Sequence, residues 1–184
     1  SADGGQTWER IGGTSLSGDT FIFTHTFIAA EEIIAFHDPY TYTDLQGKLS
    51  EWEMSPYAEQ TVLGQSIQGR DIHLLRITGD GRPDDEKLGF WFVARQHGAE
   101  VTGSYTAEGL IDFLLSDEPE AQDIRANAVV NVIPMVNPDG AVAGNYRDNY
   151  QGVNLNRVWD NPSALTSPEV LLARQAMEDW VAAG

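Results

Sequence analysis

The rhythm of apolar and polar positions changes several times along the chain, and each change predicts an element. Residues 21–28, FIFTHTFI, alternate with period two. Phe21, Phe23, His25 and Phe27 fall on one face and Ile22, Thr24, Thr26 and Ile28 on the other, which predicts a strand with His25 as a satisfied core or edge residue. AAEEIIAF follows as a second short strand or bend. The period then becomes helical: Thr41 or Thr43 can cap a helix to about Trp52, with Tyr42, Leu45 and Leu49 on its apolar side. TVLGQSI and DIHLLRIT read as two strands joined through Gln68-Gly69-Arg70 in a hairpin. On the second, His73 shares a face with Asp71 and Leu75 and is expected to meet solvent. LGFWFVA, residues 88–94, is apolar on both faces and predicts a buried strand.

Beyond it, VTGSYTAEGLIDFLL repeats at helical spacing through Val101, Tyr105, Leu110 and Leu114. EPEAQDIRAN predicts a shorter helix with Pro119 in its first turn. VVNVIPMVN is a second buried strand, stopped by a turn at Pro138-Asp139-Gly140. GNYRDNYQGVNLNRVWD has no regular period and reads as loop. Ser167 caps a last helix, with Pro168 at its first position and Glu169 beside its positive end. Strands alternating with helices imply an α/β fold whose mixed sheet is partly parallel. At the start, SADGGQTW fits the Asp-box pattern S-x-D-x-G-x-T-W, in one copy, and predicts a tight turn feeding a strand.

Composition narrows the chemistry. With no cysteine among 184 residues there is no disulfide, thiolate nucleophile or Cys-type zinc site, so any metal must use His, Asp or Glu. A net charge of −17 argues against nucleic acid as a partner, because phosphates demand Lys and Arg. No apolar run is long enough to span a bilayer, so no membrane partner is expected.

Both buried strands end in residues suited to chemistry, and sites in open α/β sheets form at such carboxyl ends. After the first, RQHGAE sets His97 and Glu100 three residues apart, an imidazole and a carboxylate that match the N and O donors zinc prefers. Gly98 and Ala99 are small enough to let the backbone turn and bring both to one ion. A surface histidine beside a helix-capping glutamate is the competing interpretation of so short a motif.

From Phe36 onward, the order of motifs resembles zinc metallocarboxypeptidases of the carboxypeptidase A type, most closely the cytosolic carboxypeptidase-like branch. PYTYTDL resembles that branch's Pro-Tyr-Thr-Tyr signature. ARQHGAEVTGSYTAEGLIDFLL looks like its zinc-binding strand, loop and helix, and IPMVNPDGAVAGNYR and GVNLNR like its next strand and substrate loop. The resemblance implies a carboxypeptidase fold, incomplete here and of phosphorylase/hydrolase-like type, over residues 37–184, with residues 1–36 the end of a preceding β-sandwich domain. It implies Zn2+ as cofactor, with His97 and Glu100 as two ligands. Arg147 would polarise the scissile carbonyl, and Asn156 and Arg157 would grip the substrate's terminal carboxylate. A planar guanidinium fork suits both tasks. A surface salt bridge for Arg147 and loop bracing by Asn156 are the structural alternatives.

The substrate implied is a peptide or protein C-terminus, with removal of C-terminal glutamates one option, and the location cytoplasmic. The third ligand and the general base are expected beyond residue 184, so residues 1–184 alone should be inactive and bind zinc weakly. Two other readings share some features. HGAE and NLNR also look like the motifs of aspartoacylase and succinylglutamate desuccinylase, which cut N-acyl amino acids. A non-catalytic binding module built around the Asp-box turn is the third.

Overall fold

The computed structural model describes residues 1–183. They form two compact units, one ending at Pro39 and one beginning at Tyr40.

In the first unit the Asp-box turn forms. Asp3 Oδ1 accepts from the backbone N–H groups of Gln6 and Thr7, and Oδ2 from the Thr7 hydroxyl at 2.6 Å. The Thr7 bonds hold the Asp3 carboxyl far below the usual carboxylate range. The chain does not then enter a strand. The described strands of this unit are β1 (Ser15–Ser17) and β2 (Thr20–Ile22), an antiparallel hairpin. The strand expected over residues 21–28 therefore ends at Ile22, and AAEEIIAF forms no strand. Glu32 explains the difference: its carboxylate accepts from the Ile28 and Ala29 N–H groups and pairs with His25. A side-chain acceptor has captured donors that a neighbouring strand would use.

The second unit opens with α1 (Tyr42–Trp52). Thr41 caps it through a reciprocal box, its hydroxyl accepting from Asp44 N–H while the Asp44 carboxylate accepts from Thr41 N–H. Leu45, Leu49 and Trp52 are its buried face, each contributing about 1.5–3 kcal/mol by leaving water. Next come β3 (Ala58–Gln65) and β4 (Asp71–Ile77), paired antiparallel across a turn in which Gly69 supplies the left-handed φ of 76°. β5 (Leu88–Val93), α2 (Val101–Leu115), α3 (Pro119–Asn127) and β6 (Ala128–Ile133) follow, then α4 (Pro138–Ala143) and α5 (Pro168–Ala182).

The sheet order is β3-β4-β6-β5. β6 is antiparallel to β4 and parallel to β5, as expected of a mixed, partly parallel sheet with flanking helices. Leu75 and Ile77 of β4 and Val130 and Val132 of β6 pack with α1 and α2 on one face. Ile72, Ile133, Val136, Val170 and Ala173 form the core on the other, under α5. The result is three layers.

Four local expectations change. β6 is buried along its whole length, but β5 pairs only with β6 among the described strands, and Leu88 and Phe90 are 66% and 54% exposed. Apolar composition on both faces did not place β5 at the sheet centre. His73 is 5% exposed, because it shares its face with Leu75 and Ile77 and lies between Gln46 of α1 and Gln60 of β3. Burial holds its pKa below the usual histidine value. Pro138-Asp139-Gly140 is the first turn of α4, started by Asn137, whose side chain accepts from Gly140 N–H. Ser167 occupies the cap position of α5 but turns its hydroxyl toward Ser163.

Candidate active site

β5 and β6 run parallel and end on the same side, so the segments leaving them meet. Pairing continues past the strand ends: Ala94 N–H donates to Ile133 O, Val136 N–H to Ala94 O, and Asn137 N–H to Arg95 O. At Arg95 the backbone swings out of the sheet with φ +52°, the one positive φ among described non-glycine residues, a conformation costing roughly 1–3 kcal/mol. Its buried guanidinium donates from Nε to Gly98 O at 2.8 Å, and from Nη1 to Tyr40 O and Ser104 Oγ at 3.1 Å each.

Gly98 is there because nothing larger fits. A Cβ at this position would lie 2.4 Å from Asn145 O and 2.6 Å from Gly140 O. That close approach, with Ala99 N–H donating to Tyr146 O, seats the HGAE loop against the segment leading to Arg147. Asn137 adds a second tie, donating from Nδ2 to Gln96 O and to Asp148 O.

His97 is 4% exposed. Its Nε2 lies 3.1 Å from Asn154 Oδ1, which also accepts from Asn156 N–H and is thereby fixed as the amide's oxygen. The imidazole proton therefore belongs on Nε2, leaving a lone pair on Nδ1. Nδ1 faces Glu100 Oε1 at 2.9 Å, within ion-pair distance. No hydrogen bond joins them, and Nδ1 is a buried atom without a hydrogen-bond partner. The imidazole lone pair and the carboxylate thus face each other across 2.9 Å. Glu100 sits at the cap position of α2, and its side chain makes no capping bond to that helix.

Arg147 Nη2 reaches within 3.5 Å of His97 Nε2, a contact rather than a hydrogen bond because Nε2 already donates to Asn154. Arg157 lies in a 3-10 turn over Leu155–Arg157, its Nη1 donating to Asn156 O at 2.7 Å. Among the described residues neither arginine has a carboxylate within ion-pair distance. The surface salt bridge considered for Arg147 is not formed. Asn156 is exposed and joins the site through its backbone, via Asn154. His97, Glu100 and Arg147 thus converge directly and Asn156 indirectly, while the Arg157 guanidinium is turned to its own turn. Trp159 packs in the second core and donates to Gln96 Oε1.

Sequence reasoning missed Asn154 and the bracing of the loop by Arg95. It also missed Asn149, fully buried, whose Oδ1 accepts from Gln151 and Val153 N–H and whose Nδ2 reaches Thr166 O and the buried Glu169 carboxylate. The repeated asparagines of GNYRDNYQGVNLNR were a signal, since Asn side chains satisfy the backbone of loops that lack ladder bonds.

The sequence model of the zinc carboxypeptidase family matches residues 52–171. The chain belongs to the zinc carboxypeptidase family. It is 35% identical over 170 residues to human cytosolic carboxypeptidase 4, covering 84% of this chain and 15% of that protein. To mouse cytosolic carboxypeptidase 6 it is 39% identical over 138 residues, covering 73% and 26%. Among solved structures, the metallo-carboxypeptidase of Burkholderia cenocepacia superposes with TM-score 0.86 at 33% identity, covering 97% of this chain and 48% of that one. A metallo-carboxypeptidase from Pseudomonas aeruginosa, in complex with (2-guanidinoethylmercapto)succinic acid, does so with TM-score 0.80 at 32% identity, covering 96% and 46%. The chain therefore spans 15% and 26% of these curated relatives and just under half of these solved chains.

For a zinc carboxypeptidase the donor set is of the right kind. The orphaned His97 Nδ1 and the Glu100 carboxylate offer N and O ligands, and their 2.9 Å separation is close to the roughly 3.3 Å that tetrahedral bonds of about 2.0–2.1 Å would set. Among the described residues no third His, Cys, Asp or Glu joins them.

Proposed function

We propose that this chain carries part of the active site of a zinc-dependent carboxypeptidase that hydrolyses the C-terminal peptide bond of peptides or proteins. His97 through Nδ1 and Glu100 through its carboxylate hold the ion, and a third protein donor completes the set that catalytic zinc requires. Zinc, when bound, supplies Lewis-acid polarisation of the scissile carbonyl and a more acidic water. Asn154 fixes the His97 tautomer, the usual task of a group hydrogen-bonded to a ligand's far nitrogen. Arg147, free of any carboxylate, steadies negative charge as it develops on the carbonyl oxygen. Asn156 and Arg157 bind the substrate's terminal carboxylate, which fixes the register of cleavage at the last residue.

The observation that carries this reading is the buried, unpartnered Nδ1 of His97 facing Glu100 beside an unneutralised Arg147. The overall charge of −17 would repel an acidic tail, but Arg147, beside His97 and without a carboxylate within ion-pair distance among the described residues, offers a local positive charge. That supports C-terminal glutamates as one substrate class. A cytoplasmic location is proposed from the likeness to cytosolic carboxypeptidases 4 and 6. Residues 1–36 are the end of a β-sandwich domain in this proposal.

The test is amino-acid release by the full-length protein from peptides ending in glutamate or in other residues, beside N-acetyl- and N-succinyl-amino acids. Release from peptides, lost on chelation and restored by zinc, is expected. Cleavage of the N-acyl amino acids alone would instead favour the aspartoacylase-like reading, and no hydrolysis of either would leave a binding module.

A further inference from the structure

We infer that Arg95 is a positioning residue for the metal loop, holding HGAE in the one conformation that turns His97 Nδ1 and Glu100 Oε1 toward a common point. The inference rests on the zinc carboxypeptidase reading.

Arg95 is the hinge between β5 and the loop. Its backbone occupies the left-handed region, where glycine would be the ordinary choice. Something must offset that strain, and the side chain is placed to do so. Its guanidinium is buried with no carboxylate partner within ion-pair distance among the described residues, and spends its donors on neutral oxygens of three separate segments. One is Gly98 O, between the two proposed ligands; one is Tyr40 O, in PYTYT; one is Ser104 Oγ, on α2. The planar fork therefore ties the loop centre to the start of the unit and to the helix that follows Glu100. A buried cation without a counter-charge is costly unless its donors are satisfied. The loop carbonyl is consequently held by a strong, charge-assisted bond. PYTYT gains a role that its sequence did not disclose: the Tyr40 carbonyl is an anchor for the metal loop.

Three variants of the full-length protein separate this from plain structural support. Arg95→Gly relieves the backbone but removes the fork. Arg95→Lys keeps the charge but loses the geometry. Ser104→Ala removes one acceptor and leaves the hinge intact. Zinc affinity is read by competition with a chromophoric chelator, kcat and KM by amino-acid release, and folding of the zinc-free protein by thermal unfolding.

Positioning predicts zinc bound about 10- to 100-fold more weakly in Arg95→Gly, with kcat lowered more than KM is raised. Arg95→Lys should fall between Arg95→Gly and the parent, and Ser104→Ala should weaken zinc several-fold with unfolding temperature nearly unchanged. If folded Arg95→Gly and Ser104→Ala bind zinc as the parent does, the inference is overturned and the zinc reading stands. If the parent itself binds no zinc, the zinc reading fails and takes the inference with it.

Discussion

Adding one methyl group at Gly98 should damage the site while leaving every proposed ligand unsubstituted. In Gly98→Ala the new Cβ would lie 2.4 Å from Asn145 O and 2.6 Å from Gly140 O, against an ordinary contact of 3.4 Å or more. Both obstacles are backbone atoms of the 140–145 segment, and neither can rotate away. The two loops must separate by about 1 Å, the difference between those distances. Displacements of that size at a catalytic constellation cost about 100-fold in rate, and overpacking costs about 1–3 kcal/mol in stability. The separation also pulls His97 from Arg147, now 3.5 Å from its ring. The assay is amino-acid release from a peptide, with zinc titrated independently. The expected outcome is kcat down about 100-fold and zinc weakened about 10-fold, with KM changed much less. A Gly98→Ala protein with parental kcat and zinc affinity would refute the claim that this close approach sets the site.

Two further outcomes follow from buried charges. Burial raises the Glu169 carboxyl above its usual 4.5, partly opposed by hydrogen bonds from its own backbone and from Asn149. The folded protein then keeps this proton after the unfolded chain has lost it, so the contribution to stability is present at low pH and declines as pH rises from 4.5 through the folded value. Glu169→Gln should flatten that decline in urea-unfolding curves taken at increasing pH above 4.5, and identical slopes for both proteins would count against it. Asp139, fully buried, accepts from Ser66 Oγ, Gln68 N–H and Arg70 Nη1, clamping the β3–β4 turn to α4. Arg70→Ala removes its one cation and should destabilise by about 3 kcal/mol; an unfolding midpoint within error of the parent would show the clamp to be inert.

What the sequence could disclose was local. Thr41 or Thr43 marked the start of α1, and the box that Thr41 completes with Asp44 within four residues decides for Thr41, while HGAE exposes its two donors because they are neighbours in the chain. Whatever depended on distant partners stayed hidden. His73 was assigned to solvent by its neighbour Asp71, whereas Gln46 from α1 and Gln60 from β3 decide its burial. FIFTHTFI alternates as a strand should, yet among the described residues no second strand pairs beyond Ile22, and Glu32 takes its backbone donors instead. Asn154 meets His97 across 57 positions, and no spacing rule reaches that far. Arg95 resembled an ordinary arginine at a strand end. Only its backbone angle and its three oxygens mark it as a hinge.

The central claim is that His97 Nδ1 and Glu100 together hold a zinc ion. Its most direct test is metal stoichiometry after exhaustive dialysis of the full-length protein, its His97→Ala variant and its Glu100→Gln variant, all shown to be folded. Near-equimolar zinc in the parent and its loss from both variants is the expected result. Zinc retained at parental stoichiometry in folded His97→Ala would contradict it.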